Sequence, residues 1–209
     1  MVTRSQLPFG LAGNVEREPV PVMRPWIWVT VGMLVTFAGM GAVGQAAAEG
    51  RDTGTPAKRL SLRLSDFPRG ASLIEASADG GSTASGVHGT RFKVRVLYPL
   101  GNGQAAATSI VGVIDGAAQA RQLFAPFRKD PAVAGTTVSR LPLPRLGDEQ
   151  VAIFQVRKSD GAAAAMLVVR SKSVVWMLSL IGRPELTRHR AVAELSKYGA
   201  KMAARVNAR

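Results

Sequence analysis

Residues 162–182 hold two apolar runs of strand length, separated by Arg170-Ser171-Lys172-Ser173. Read as one piece they would pass for a membrane span. Arg170 and Lys172 would then lie near mid-bilayer, at roughly 2.5–3.5 kcal/mol each. A buried β-hairpin with both charges at a solvated tip is the better reading. Other segments alternate in the same way. Phe92, Val94, Val96 and Tyr98 interleave with Arg91, Lys93, Arg95 and Leu97, which predicts a strand with one apolar and one basic face, ended by Pro99. Leu60, Leu62 and Leu64 alternate with Ser61 and Arg63 and predict a half-buried strand. Residues 71–78, 108–114, 135–141 and 151–156 predict further strands, the second from its β-branched content. Residues 79–89 are rich in Gly and Ser and predict a loop.

The period changes to helical in two places. Asp115 is placed to cap a helix over about 116–129 whose apolar side is Leu123, Phe124 and Phe127, kinked or ended at Pro126, with Asp130-Pro131 at its exit. A long terminal helix is predicted over about 184–208, starting with Pro184. Val192, Leu195, Gly199, Met202 and Val206 fall on one side of it, and Arg190, Glu194, Lys197, Lys201 and Arg205 on the other. Strands without a repeated strand-helix-strand order predict an α+β fold: an antiparallel sheet of about six to eight strands, with one mid-chain helix and a long C-terminal helix packed on it. The terminal helix is expected to cover one face of the central hairpin, because both its strands are apolar on nearly every residue.

Ahead of this domain the pattern differs. Residues 1–25 are polar and proline-rich and predict a disordered tail. Residues 26–43 are an uncharged apolar run, followed by Gly44-Gln45-Ala46-Ala47-Ala48. Segment 26–48 therefore reads as a signal peptide cleaved after Ala46 or Ala48, or as a single uncleaved membrane anchor with Trp26 and Trp28 at the headgroup level. Either reading makes the chain exported: extracytoplasmic, and secreted or membrane-anchored. Residues 49–59 predict a linker, and 60–209 one extracytoplasmic domain.

Charge narrows the partner. The chain carries a net charge of +13, nearly all of it after residue 48. That favours an anionic protein, lipid or polymer partner. Nucleic acid is not expected, because the aromatics of the basic strand, Phe92 and Tyr98, fall on its other face. The candidate anionic-partner surface is Arg190, Lys197, Lys201 and Arg205 on the last helix. The absence of cysteine excludes disulfides, thiol nucleophiles and a lipid-modified cysteine.

Chemistry is sparse. Gly101-Asn102-Gly103-Gln104-Ala105-Ala106 fits a GxGxxA dinucleotide pattern, but a strand is predicted where the motif needs a helix, so a hairpin loop is expected. No cofactor, metal site or catalytic residue is assigned. His88 with nearby Ser82 and Ser85 is kept as a hydrolase alternative, although no GxSxG elbow is present.

Leu146-Gly147-Asp148-Glu149-Gln150-Val151-Ala152, the hairpin segment 167–175 and the terminal Ala203-Ala204-Arg205-Val206 resemble recurring motifs of exported bacterial envelope proteins and lipoproteins. In element order they are similar to PsbP-like and kinase-sensor-type domains. The resemblance implies an antiparallel sheet flanked by helices that serves as a ligand- or partner-binding module. The sequence departs from it in lacking the lipobox cysteine, so a lipid anchor is not carried over, and in Ser171-Lys172-Ser173, which stands where a glycine turn is usual. The expected function is an exported, non-catalytic binding or sensor-like domain. The alternative is peripheral attachment to anionic membrane or cell-wall polymer through the basic helix.

Overall fold

The computed structural model describes residues 55–82, 87–129, 135–182 and 185–209. The expected tail, the signal or anchor segment, the linker up to residue 54, the Asp130-Pro131 exit and Pro184 lie outside the described residues. Among the described residues, no helix is long and apolar enough to cross a membrane.

Seven strands form one antiparallel sheet: β1 (Ser72–Ser82), β2 (His88–Leu100), β3 (Gly103–Ile114), β4 (Thr136–Arg140), β5 (Glu149–Arg157), β6 (Ala163–Ser171) and β7 (Val174–Gly182). Their order is β1-β2-β3-β7-β6-β5-β4, so the chain crosses over after β3 and returns through two hairpins to place β7 beside it. The helices are α1 (Pro56–Leu60), α2 (Ala117–Phe124) and α3 (Arg188–Asn207). This is the expected α+β architecture.

Each face of the sheet has its own core. On the first face, Val94, Leu167, Leu178 and Trp176 pack beneath α1 and α3, whose buried residues include Leu195, Tyr198, Met202 and Val206. Gly199 allows this approach, since a β-carbon there would come within 3.0 Å of Leu146 and Leu167. The terminal helix therefore covers the central hairpin as expected. On the second face, Ile110, Val168, Val175 and Met177 pack beneath Leu123, Phe124 and Phe127 of α2 and the 3-10 turn Ala125–Arg128 that follows it. Pro126 sits at the start of that turn, where the α-helix ends.

Several expectations need correction. The strand expected from Leu60 to Leu64 is helix α1 followed by an extended link and a 3-10 turn, Leu64–Asp66. Thr55 caps α1 by accepting from the Lys58 N–H, and Pro56 takes its first turn. Leu60 and Leu62 still reach the core, so a capped turn imitates strand alternation. Residues 79–82, expected in a loop, extend β1, and Ser82 pairs with His88. Pro99 does not end β2, because β1 already stops opposite Leu97 and needs no ladder bond from it. Asp115 is not a cap. Its N–H remains tied to the His88 carbonyl at the end of the sheet, and Gly116 takes the cap position without a side-chain bond. Helix α3 starts at Arg188, where the Thr187 hydroxyl accepts from the Arg190 N–H.

The hairpin tip also differs. Lys172 is exposed, but Arg170 is only 5% exposed. Its guanidinium donates to Glu149 Oε2, to Asp148 Oδ2 at 3.1 Å and to the Lys172 carbonyl at 3.1 Å. Asp148 Oδ2 also accepts from the Lys172 N–H at 2.8 Å, which holds Lys172 at a φ of 52° where glycine is usual. Gly147 is required beside it, since a β-carbon there would stand 2.7 Å from the Arg170 carbonyl oxygen.

Candidate binding surface

The four cations expected to form an anionic-partner surface on α3 each have contacts within the fold. Arg205 makes a bidentate pair with Asp66, at 2.8 and 2.9 Å, and donates to the Ser61 carbonyl at 2.7 Å. Lys201 donates to the Asp66 carbonyl at 2.9 Å. These bonds fasten the 61–67 segment to α3, and Phe67 closes the clasp by packing its ring 4.6 Å from Tyr198 and 5.4 Å from Tyr98. Arg190 donates to the Glu185 carbonyl, and Lys197 lies over the Tyr198 ring. The face is therefore partly a structural clasp.

Asp66 was not singled out from the sequence, although it organises this region. Burial alone would raise its pKa. The hydrogen bonds from Arg205 and the Arg63 N–H, with the charges of Arg205 and Lys201, outweigh burial and hold it below the ordinary carboxylate value. Asp66→Ala should lower unfolding stability by about 2 kcal/mol, because it strips a charge-assisted fork from a largely buried Arg205. Urea titration checks this, and a loss below about 0.5 kcal/mol, the level of an ordinary surface change, would remove the clasp. Burial, then the Glu194 carboxylate, raises the pKa of both Tyr98 and Tyr198, so these phenols stay protonated.

His88 is exposed at the start of β2, and its N–H points to Gln119 Oε1 at 3.4 Å. The register sets Ser82 opposite it, and Ser85 lies outside the described residues. The GxGxxA segment forms the β2–β3 turn, with Leu100 paired to Gly103 and a strand following. Among the described residues, no three His, Cys, Asp or Glu side chains gather as a metal site.

A different surface emerges on the second sheet face. α2 and its 3-10 turn cover the rows at the Val151–Val168–Met177–Ile110 level. Beyond them, strand pairing aligns Gln155, Ala164, Ile181, Ala106 and Leu97 in one row across five strands. The adjoining row runs Met166, Ser179, Thr108, Arg95. Ala164, Ile181, Ala106, Leu97 and Thr108 are half-buried and belong to neither core. Ser179 and Gln155 are buried on the same face, Ser179 4% and Gln155 8% exposed. The Gln155 Nε2 has no hydrogen-bond partner among the described residues. A buried donor left unpaired costs about 1–3 kcal/mol, so it is a feature to be explained.

The basic stripe of β2 borders this floor. Lys93 is neutralised by Glu75 at 2.8 Å, and Arg91 stands opposite Asp79 in the register. Arg95 makes no close ion pair among the described residues; its register neighbours are Glu75 on β1, whose carboxylate is bonded to Lys93, and Thr108 on β3. The stripe was legible in the sequence. The floor was not, because its residues come from strands that the crossover makes neighbours.

No family model matches the chain, and no curated protein matches it in sequence. Among solved structures, the extracellular domain of PknH from Mycobacterium tuberculosis is similar, at 13% sequence identity and a TM-score of 0.52, over 72% of this chain and 94% of that one. At this identity the likeness is one of fold: the chain shares the sheet-and-helix architecture of an extracellular domain.

Proposed function

We propose that the chain is an exported, non-catalytic binding or sensor-like domain whose ligand surface is the open floor on the second sheet face. One observation carries this reading: a row of half-buried residues, Ala164, Ile181, Ala106 and Leu97, crosses four strands, belongs to neither core and runs beside Arg95. A surface serving only solubility has no need of an apolar bed, whereas a binding site commonly combines one with a few fixed polar groups. The fold likeness to an extracellular domain agrees with an extracytoplasmic setting. Attachment through α3 would rest on Arg190 and Lys197, since Lys201 and Arg205 are engaged with Asp66.

The floor can be blocked without disturbing either core. Ala106→Trp places a large ring on a half-buried strand position. The full chain, held in neutral detergent, is expected to gain thermal stability from a small-molecule extract of bacterial envelopes, and the Ala106→Trp chain is expected not to. Equal stabilisation of both, or of neither, defeats the assignment.

A further inference from the structure

β1, 11 residues long, forms one edge of the sheet, and β4, 5 residues long and ending in Arg140, forms the other. The ladder fixes which backbone groups of β1 look outward. The Asp115 N–H bonds the His88 carbonyl. Residues of an antiparallel strand turn alternately to one neighbour and the other, so His88, Thr90, Phe92 and Val94 bond toward β3, and Lys93 and Arg95 bond toward β1. Their partners Ser77 and Glu75 therefore bond inward, which leaves the N–H and C=O of Ala76 and Ala78 directed away from the sheet. Both alanines are exposed, and no described strand meets them on that side. An edge of this kind receives another strand unless lysine, proline or short length guards it. Residues 72–78 contain no lysine, arginine or proline, and the Glu75 carboxylate is held by Lys93 at 2.8 Å. The bulge between Leu73 and Glu75 leaves Ile74 without a partner on β2. Leu73 and Ile74 are each 50% exposed, and with Leu64 they are the large hydrophobics left in solvent among the described residues.

We infer that β1 pairs with β1 of a second copy of this chain, antiparallel and with Ala76 on the two-fold axis, so that one sheet runs through both copies. The register is self-complementary. With Ala76 opposite its own copy, Ile74 meets Ala78 and Glu75 meets Ser77, large against small and acid against hydroxyl, and no like charges face each other across residues 74–78. Charge selects the edge: copies that each carry +13 repel, and they can approach most closely along a strand segment that has an acid and no base, whereas β4 ends in Arg140. A basic foreign strand would need an acid available on this edge, and Glu75 is already bonded to Lys93. A single strand edge is small for an interface, so the dimer is weak, with a Kd on the order of 10 µM. Edge pairing leaves the second sheet face open and stands or falls apart from the floor.

The chain has no cysteine, so a single introduced thiol forms a disulfide only between copies. The test uses the full chain in neutral detergent, with micelles in excess over protein. Mild oxidation should join Ala76→Cys into a dimer, because residues across an antiparallel hydrogen-bonded pair stand about 5.5 Å apart at Cα, within disulfide reach. Ala78→Cys lies on the same edge, but in this register its own copy is offset by about 14 Å along the strand, so it should cross-link at least about tenfold more slowly. In sedimentation equilibrium the wild type should dimerise, and more tightly as salt screens the repulsion between copies. Ala76→Pro removes an outward N–H and leaves the inward ladder intact, so it should stay folded by far-UV circular dichroism and be monomeric. Equal cross-linking of the two cysteines, faster cross-linking at Ala78→Cys, or a folded Ala76→Pro that dimerises like the wild type overturns the inference. A monomeric wild type overturns it as well. If the Ala76→Cys thiol then reacts readily with maleimide, the edge serves a foreign strand; if the thiol is protected, another segment of the same chain covers it.

Discussion

Replacing Trp176 with alanine should destabilise the fold by about 3–5 kcal/mol, the range for removing a large aromatic from a closed core. Trp176 is fully buried on β7, between Val169 and Val111 in the register, and its ring edge faces Gly199 of α3. It therefore fills the space through which the terminal helix is fixed to the hairpin. In a chain of this size the loss corresponds to a fall in Tm of ~10 °C or more. Trp176→Phe is expected to be much milder than its lost area suggests, because the indole Nε1 is buried without a partner and phenylalanine removes that donor. Guanidinium unfolding followed by far-UV circular dichroism reads both. A loss under about 1 kcal/mol for Trp176→Ala would mean that α3 is held chiefly by the Asp66 clasp.

What the sequence disclosed and what it hid divide along range of interaction. The alternation of β2, the paired apolar runs of β6 and β7 and the apolar side of α3 are local patterns, and each gave its element and its buried side. Local pattern misled where two structures share it: Leu60 and Leu62 reach the core from a capped helix and an extended link as well as they would from a strand. Charges were the least legible. Arg170 reads as a tip residue because its partners, Asp148 and Glu149, lie more than twenty positions away and meet it only through β5–β6 register. Asp66 and Arg205 are 139 positions apart, so nothing local marks them as a pair. The candidate surface has the same character. Gln155, Ser179, Thr108 and Arg95 sit on four different strands and share a face because β7 inserts beside β3.

Arg170→Ala should cost about 3 kcal/mol, at the low end for breaking a buried ion pair, because the acids it leaves behind are partly solvated and Arg128 still reaches Glu149. The acids also give the defect a pH signature. Glu149 is held below its ordinary value first by the hydrogen bond from Arg170, against burial, with help from Arg128. Asp148 is held down first by the Lys172 N–H, again against burial, and then by Arg170. A carboxyl whose folded pKa is depressed contributes stability that is present above its unfolded value near 4 and is lost as pH falls through the folded one. The wild type should therefore lose this contribution on acidification below about pH 4, whereas Arg170→Ala has already lost most of it. The gap between the two proteins in urea unfolding is expected to be widest near pH 6 and to narrow toward pH 3. A part of the gap should survive in acid, since the aliphatic stem of Arg170 is buried beside Val175 and Val168 and its packing does not titrate. A gap that stays constant from pH 6 to pH 3 would show that Arg170 acts by packing alone. The Asp148–Glu149 turn would then owe its shape to Gly147 and the Lys172 backbone rather than to the guanidinium.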